Sequence, residues 1–119
     1  MGLKRIEFLE STAYTAAEVV VSDWVDVGEY QEGYFWLDVT VFATRVDETL
    51  DVVIERFAGN TAGYTTIATF TQIATAATSS EEELVVASLG GKIRARLTVA
   101  GTFSTKSITL SVKGEVKSV

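Results

Sequence analysis

The side chains that could do chemistry in this 119-residue chain are carboxylates, guanidinium groups and aromatic rings, because histidine and cysteine are both absent. Without histidine the commonest general base and the commonest transition-metal ligand are gone. Without cysteine there are no thiol nucleophiles, zinc–thiolate sites or disulfides, and the serine and cysteine triads cannot be assembled. An enzyme would have to run on carboxylates or lysine, and no motif for such chemistry stands in the chain. Asp47, Glu48 and Asp51, or Asp38 with Glu55, are the pairs that glycoside hydrolysis would need, but nothing in the sequence sets their separation. They are expected to be turn and surface carboxylates. The expectation is a protein that is not an enzyme and holds no cofactor.

Three further groups stand out. Asp23, Asp26, Glu29 and Glu32 cluster near turn signals. Calcium needs several oxygens converging on one point, and this spacing matches no calcium loop, so a solvated acidic edge without metal is expected. Lys92, Arg94 and Arg96 alternate along a strand pattern and form a basic row on one sheet face. Such a row either pairs across to acids on the neighbouring strand or meets an acidic partner surface. The acids of Glu18–Glu32 on another copy of the chain would serve, so Lys92, Arg94, Arg96, Asp23, Asp26, Glu29 and Glu32 are the protein-interface candidates. Trp24, Tyr30, Tyr34, Trp36 and Tyr64 are rings that could cover the apolar face of a pyranose. Trp36 is expected in the core, which leaves Trp24, Tyr30 and Tyr64, near turns, as candidates for stacking a glycan.

The net charge of −6 argues against a nucleic-acid partner. It is unevenly placed: residues 1–56 carry 12 acids against 4 bases, and residues 57–119 carry 4 against 6. A subunit with unlike faces can meet its copies side by side. No run is long and apolar enough for a membrane helix, and Met1–Phe8 lacks the apolar segment of a signal peptide. Ile6 stands where a myristoylation motif wants Ser or Thr. The expected place of synthesis is the cytoplasm.

The elements that must position these residues are strands. Tyr34–Thr44 is the organising stretch: Phe35, Leu37, Val39, Val41 and Ala43 share one face, while Tyr34, Trp36, Asp38, Thr40 and Phe42 share the other. Apolar content on both faces predicts a central strand with neighbours above and below. Lys4–Glu10 reads as a charged edge strand, Ser11–Ala17 as a connection, and Glu18–Ser22 and Asp23–Val27 as short strands. Gly28–Gly33 is a turn. Thr49–Phe57 is expected to pair with the central strand through the tight turn at Arg45–Thr49. Ala58–Gly63 is a loop, and Tyr64–Ile73 a strand broken near Ala68, with Ile67, Phe70 and Ile73 inside. In Ala74–Glu83, Ser79 with Glu82 and Ser80 with Glu83 fit a helix-opening capping box, so one helical turn or a loop is expected. Leu84–Ser88 and Ser107–Val112 are strands, and Gly114 marks a bend before a tail strand at Glu115–Val119. Lys92–Ala100 has the cleanest alternation, with Ile93, Ala95, Leu97 and Val99 facing in. Turn signals every ten residues or so, about eight or nine short strands and no long helix predict an all-β domain over residues 1–119, a single antiparallel β-sandwich or jelly roll.

The strings Leu50-Asp-Val-Val-Ile-Glu-Arg, Tyr64-Thr-Thr-Ile-Ala-Thr-Phe-Thr-Gln-Ile and Gly91-Lys-Ile-Arg-Ala-Arg-Leu-Thr-Val-Ala-Gly-Thr resemble small virion proteins of tailed bacteriophages. The resemblance covers roughly residues 32–114. It implies a non-enzymatic β-sandwich on the phage particle, of the head decoration or auxiliary type that cements capsid subunits. The implied partners are the major capsid protein or another virion protein and further copies of the chain, with a trimer favoured. The family offers no catalytic residues to carry over. The alternative expectation is a carbohydrate-binding or adhesin-type module of a phage tail or bacterial surface.

Overall fold

The computed structural model describes residues 2–28, 30–42, 48–57, 63–73, 80–87, 89, 91–102 and 108–118. The strands in chain order are β1 (Leu3–Tyr14), β2 (Glu18–Val21), β3 (Val25–Asp26), β4 (Glu32–Phe42), β5 (Thr49–Phe57), β6 (Tyr64–Thr69), β7 (Ser80–Ala87), β8 (Lys92–Ala100) and β9 (Ile108–Lys117). They form two antiparallel sheets, one ordered β1-β9-β4-β7 and the other β2-β8-β5-β6, with the two-residue β3 pairing β8 beyond the end of β2. With β3 set aside, strands from the two ends of the chain interleave in both sheets, which is the doubled Greek key of a jelly roll. The expected all-β sandwich is the fold, and no helix occurs among the described residues.

The core lies between the sheets. Phe35, Leu37 and Val39 of β4 face Leu50, Val52 and Ile54 of β5, with Ile93, Ala95, Leu97 and Val99 of β8 and Ile108, Leu110, Val112 and Val116 of β9. Phe35 is the wedge. Its ring packs on Phe8 at a 6.0 Å centroid distance and lies across two strands at positions where a side chain would collide. A Cβ on Gly33 would come within 2.6 Å of Phe35 Cζ, and one on Gly114 within 2.8 Å of Phe35 Cδ1. Gly114 therefore marks a ring's close approach. The expected bend and separate tail strand are absent, because β9 runs unbroken through Gly114.

Other expectations are corrected. β4 is an interior strand, between β9 and β7, but only one of its faces enters the core. Tyr34, Trp36 and Asp38 are half-buried on the outer face. Trp36 is thus not a core residue. Cross-strand neighbours shelter this row in place of a second layer: the Lys117 ammonium lies 5.3 Å from the Tyr34 ring, and Lys113 is the register partner of Trp36. β5 does not form a hairpin with β4; it pairs β8 and β6 in the opposite sheet. Cross-strand charge supports that choice, since β8 brings two arginines beside Glu55. β1 runs through the expected connection to Tyr14, whose ring is buried. Ser80–Glu83 belongs to β7, opposite Val39–Trp36 of β4, and is extended instead of helical. Residues 43–47, 58–62 and 74–79, which hold most of the expected turn at Arg45–Thr49, the loop at Ala58–Gly63 and the start of the helical turn or loop expected in Ala74–Glu83, lie outside the described residues, as do residues 103–107.

Candidate interaction surface

The outer face of the β2-β8-β5-β6 sheet is built around one carboxylate. Register sets Arg94 opposite Glu55 and Arg96 opposite Val53, so two guanidinium groups two residues apart on β8 flank a single acid on β5. Arg94 Nε donates to Glu55 Oε1 at 2.9 Å, and Arg96 Nε donates to Glu55 Oε2 at 2.9 Å. The Glu55 side chain is 2% exposed. A carboxylate that dry is tolerated because each oxygen has its own cationic donor. Aromatic rings complete the cover. Arg94 Cζ lies 4.3 Å from the Trp24 ring centroid and 5.1 Å from that of Tyr64; Arg96 Cζ lies 4.9 Å from Tyr64. The Trp24 ring meets Phe57 edge-on at 5.5 Å. The ring faces spread and shield the one formal positive charge that two arginines and one glutamate leave over.

Apolar side chains surround this centre. Among the described residues five large hydrophobic side chains are exposed, and four of them, Val19, Val21, Phe57 and Tyr64, are on this face, each 43–57% exposed. Register explains the grouping: Val19 lies opposite Thr98, Val21 opposite Arg96, and Phe57 opposite Tyr64, so all point the same way. Tyr, Trp, Phe and Arg at the centre of an apolar patch are the composition of protein-interface hot spots.

The structure unites some of the sequence candidates and separates others. Arg94 and Arg96 do form a row with Lys92, which is exposed, and the row pairs across to an acid of the neighbouring strand. Trp24 and Tyr64 join that row; the rings proposed for glycan stacking hold guanidinium groups on their faces. Tyr30 lies apart, in the crossover from β3 to β4, where its amide donates to the Val27 carbonyl at 3.0 Å and its ring sits beside Gly2. The acids divide between the sheets. Asp23 is exposed, and Asp26 Oδ1 accepts from the Gly28 amide at 3.0 Å beside β8. Glu32 starts β4 in the other sheet, accepting from the Tyr34 hydroxyl at 2.9 Å and pairing with Lys117 at 3.5 Å. Glu29 and Asp47 lie outside the described residues.

Glu55 and Glu48, expected at the surface, are buried. Asp38 and Glu55 lie on different sheets, on outer faces turned away from each other, so they make no acid–base pair. Asp51 accepts from Gln72 Nε2 at 3.0 Å. The signal for Glu55 was in the sequence: two arginines at positions i and i+2 of a strand present a slot that one carboxylate on the adjacent strand fills.

The outer face of the β1-β9-β4-β7 sheet is organised differently. Several of its charges lie opposite an unlike charge across the strands: Arg5 opposite Glu115 with Nε–Oε2 at 3.3 Å, Glu7 opposite Lys113, and Glu32 opposite Lys117. A hydrogen bond with the Tyr34 hydroxyl, and then the Glu32 carboxylate, hold the Lys117 ammonium above its ordinary pKa.

No family model matches the chain, and no curated protein matches it. Its fold is that of several solved structures. The T13 particle of infectious bursal disease virus contains a chain that superposes with TM-score 0.64 at 12% identity, over 98% of this chain and 31% of that one. The present chain thus spans about a third of the length of that viral chain. The CBM36-1 domain of a multidomain xylanase from the hindgut metagenome of Trinervitermes trinervoides superposes with TM-score 0.53 at 11% identity, over 96% of both chains. The C-terminal CBM6 of the laminarinase LamC from Zobellia galactanivorans superposes with TM-score 0.51 at 8% identity, over 98% of this chain and all of that one. The neighbours are thus viral shell structures and carbohydrate-binding modules, and what they share with this chain is the fold.

Proposed function

We propose that this protein is a non-enzymatic structural component of a virus particle, a decoration or auxiliary protein that assembles through the outer face of the β2-β8-β5-β6 sheet into an oligomer that binds the shell. The observation that carries the reading is the gathering of Val19, Val21, Phe57 and Tyr64 around the Arg94–Glu55–Arg96 centre. A chain of net charge −6 repels its copies, yet this face has its glutamate and arginines paired within itself. An apolar face whose one carboxylate is paired and whose leftover positive charge is spread over aromatic rings can approach another protein surface at little cost. The likeness to the bursal disease virus particle supports the reading at the level of fold, and the tailed-phage strings support a phage head as the particle. A trimer is the favoured assembly.

The test is native mass by light scattering across a concentration range, for the wild type and for Val21→Asp and Phe57→Asp. A closed oligomer that either aspartate dissociates supports the reading. A wild-type monomer at every concentration that also fails to bind phage head shells, or an oligomer unmoved by both substitutions, overturns it.

A further inference from the structure

We propose that the outer face of the β1-β9-β4-β7 sheet carries a second, separate site: a trench that binds an extended, neutral, β-linked oligosaccharide, with Trp36 as its stacking ring. The trench has a volume of ≈ 520 Å³ and is lined by Arg5, Ile6, Glu7, Trp36, Lys113, Gly114 and Glu115. Small-ligand sites commonly span about 300–1,000 Å³. Strand register builds it. Ile6 lies opposite Gly114, and both turn inward to the core, so they offer the trench only backbone. Arg5 and Glu115 form one wall, and Glu7 with Lys113 and Trp36 the other, because Glu7 and Trp36 are the register partners of Lys113 on its two sides.

The chemistry of that lining selects the ligand. Among the described residues of the lining two cations and two carboxylates face the same space, and their formal charges cancel. What remains is a set of strong donors and strong acceptors within one strand spacing of each other. Vicinal hydroxyls match such a set, because every hydroxyl both donates and accepts. Among the described residues Trp36 is the lone aromatic residue of the lining, and it is half-buried. A pyranose with equatorial substituents presents a flat C–H face that an indole covers, with its hydroxyls projecting at the rim toward the charged groups. The trench is shallow and open to solvent, so a single sugar would be weakly held, whereas a β-linked chain crossing the sheet face gains contacts from successive residues. The site shares no residue with the Arg94–Glu55–Arg96 face. It rests on its own lining and not on the particle reading.

Isothermal titration calorimetry with cellohexaose, xylohexaose and laminarihexaose tests it, on the wild type, Trp36→Ala and Lys113→Ala. The expected result is binding of at least one of the three, weakened about tenfold or more by Trp36→Ala and several-fold by Lys113→Ala. Melting temperatures establish that each variant is folded, and the exposed Lys113 supplies the decisive variant should Trp36→Ala unfold the sheet. No heat with any of the three sugars overturns the proposal, and so does wild-type affinity in folded Trp36→Ala. Light scattering on the same samples keeps the two readings apart: these variants are expected to keep the wild-type native mass whatever happens to sugar binding.

Discussion

The two outer faces of this sandwich use the same kinds of side chain to opposite ends. On the β2-β8-β5-β6 sheet, charge is concentrated: one dry carboxylate, two guanidinium groups and covering rings, with apolar side chains left at the rim. On the β1-β9-β4-β7 sheet, charge is spread: wet cross-strand pairs around a half-buried tryptophan. Local backbone geometry contributes to the difference. The pairing of β5 with β6 slips between Ile54 and Glu55, so that β6 carries an extra residue there. A bulge of this kind raises the local twist and re-aims side chains. Beside Trp36 the register of β4 and β9 is regular, with Lys113 exposed and Glu115 half-buried, while β1 slips against β9 only past Glu7. A buried charge is coupled to the fold, and an exposed one is available to a ligand.

Substitutions that exchange these properties test the comparison. Glu55→Ala has the largest expected effect, a loss of about 3 kcal/mol of unfolding free energy in urea denaturation, because it strands two partly buried cations. A loss below about 1 kcal/mol would make the triad an ordinary surface pair. Next is Gly114→Ala, which drives a methyl into Phe35 from the inner side of the other sheet. It is expected to cost about 2 kcal/mol by the same measurement, as overpacking does. Unchanged stability would show that Phe35 is free to swing away. Trp24→Ala removes the ring beneath Arg94 and is expected to cost about 1 kcal/mol. Its effect should vanish in a double-mutant cycle with Arg94→Ala if the ring acts through the guanidinium. Arg5→Ala is the smallest: its side chain is 84% exposed. The expected change is under about 0.5 kcal/mol, reduced further by salt. If Arg5→Ala matched Glu55→Ala, the contrast between the faces would be lost.

Much of this is legible in the residues, and the misses have definite causes. The alternation of Lys92–Ala100 places β8 and both its faces, because side-chain direction in a strand depends on nothing but parity. The central position of β4 is legible from its aromatic and β-branched content. Its outer face is not, because Trp36 and Tyr34 shelter against lysine stems from another strand as well as they would against a second layer. The partners of β5 are hidden for a different reason: a short connection favours a hairpin, but the same connection can also cross from one sheet to the other. Gly114 stands out in the sequence, but the ring it accommodates lies 79 residues earlier in the chain, so only the fold could name it.

The sequence by itself determined the class of fold, the inward rows of strands such as β5 and β8, and the absence of histidine and cysteine chemistry, since all of these follow from residue type and local period. Tertiary structure alone decided which strand lies beside which. That choice buried Glu55 between Arg94 and Arg96, drew Trp24 and Tyr64 onto the same face, sent Glu32 to the other sheet and left Trp36 in a trench. Pairing partners are set by the sum of long-range contacts across the whole sandwich, and no local pattern contains that sum.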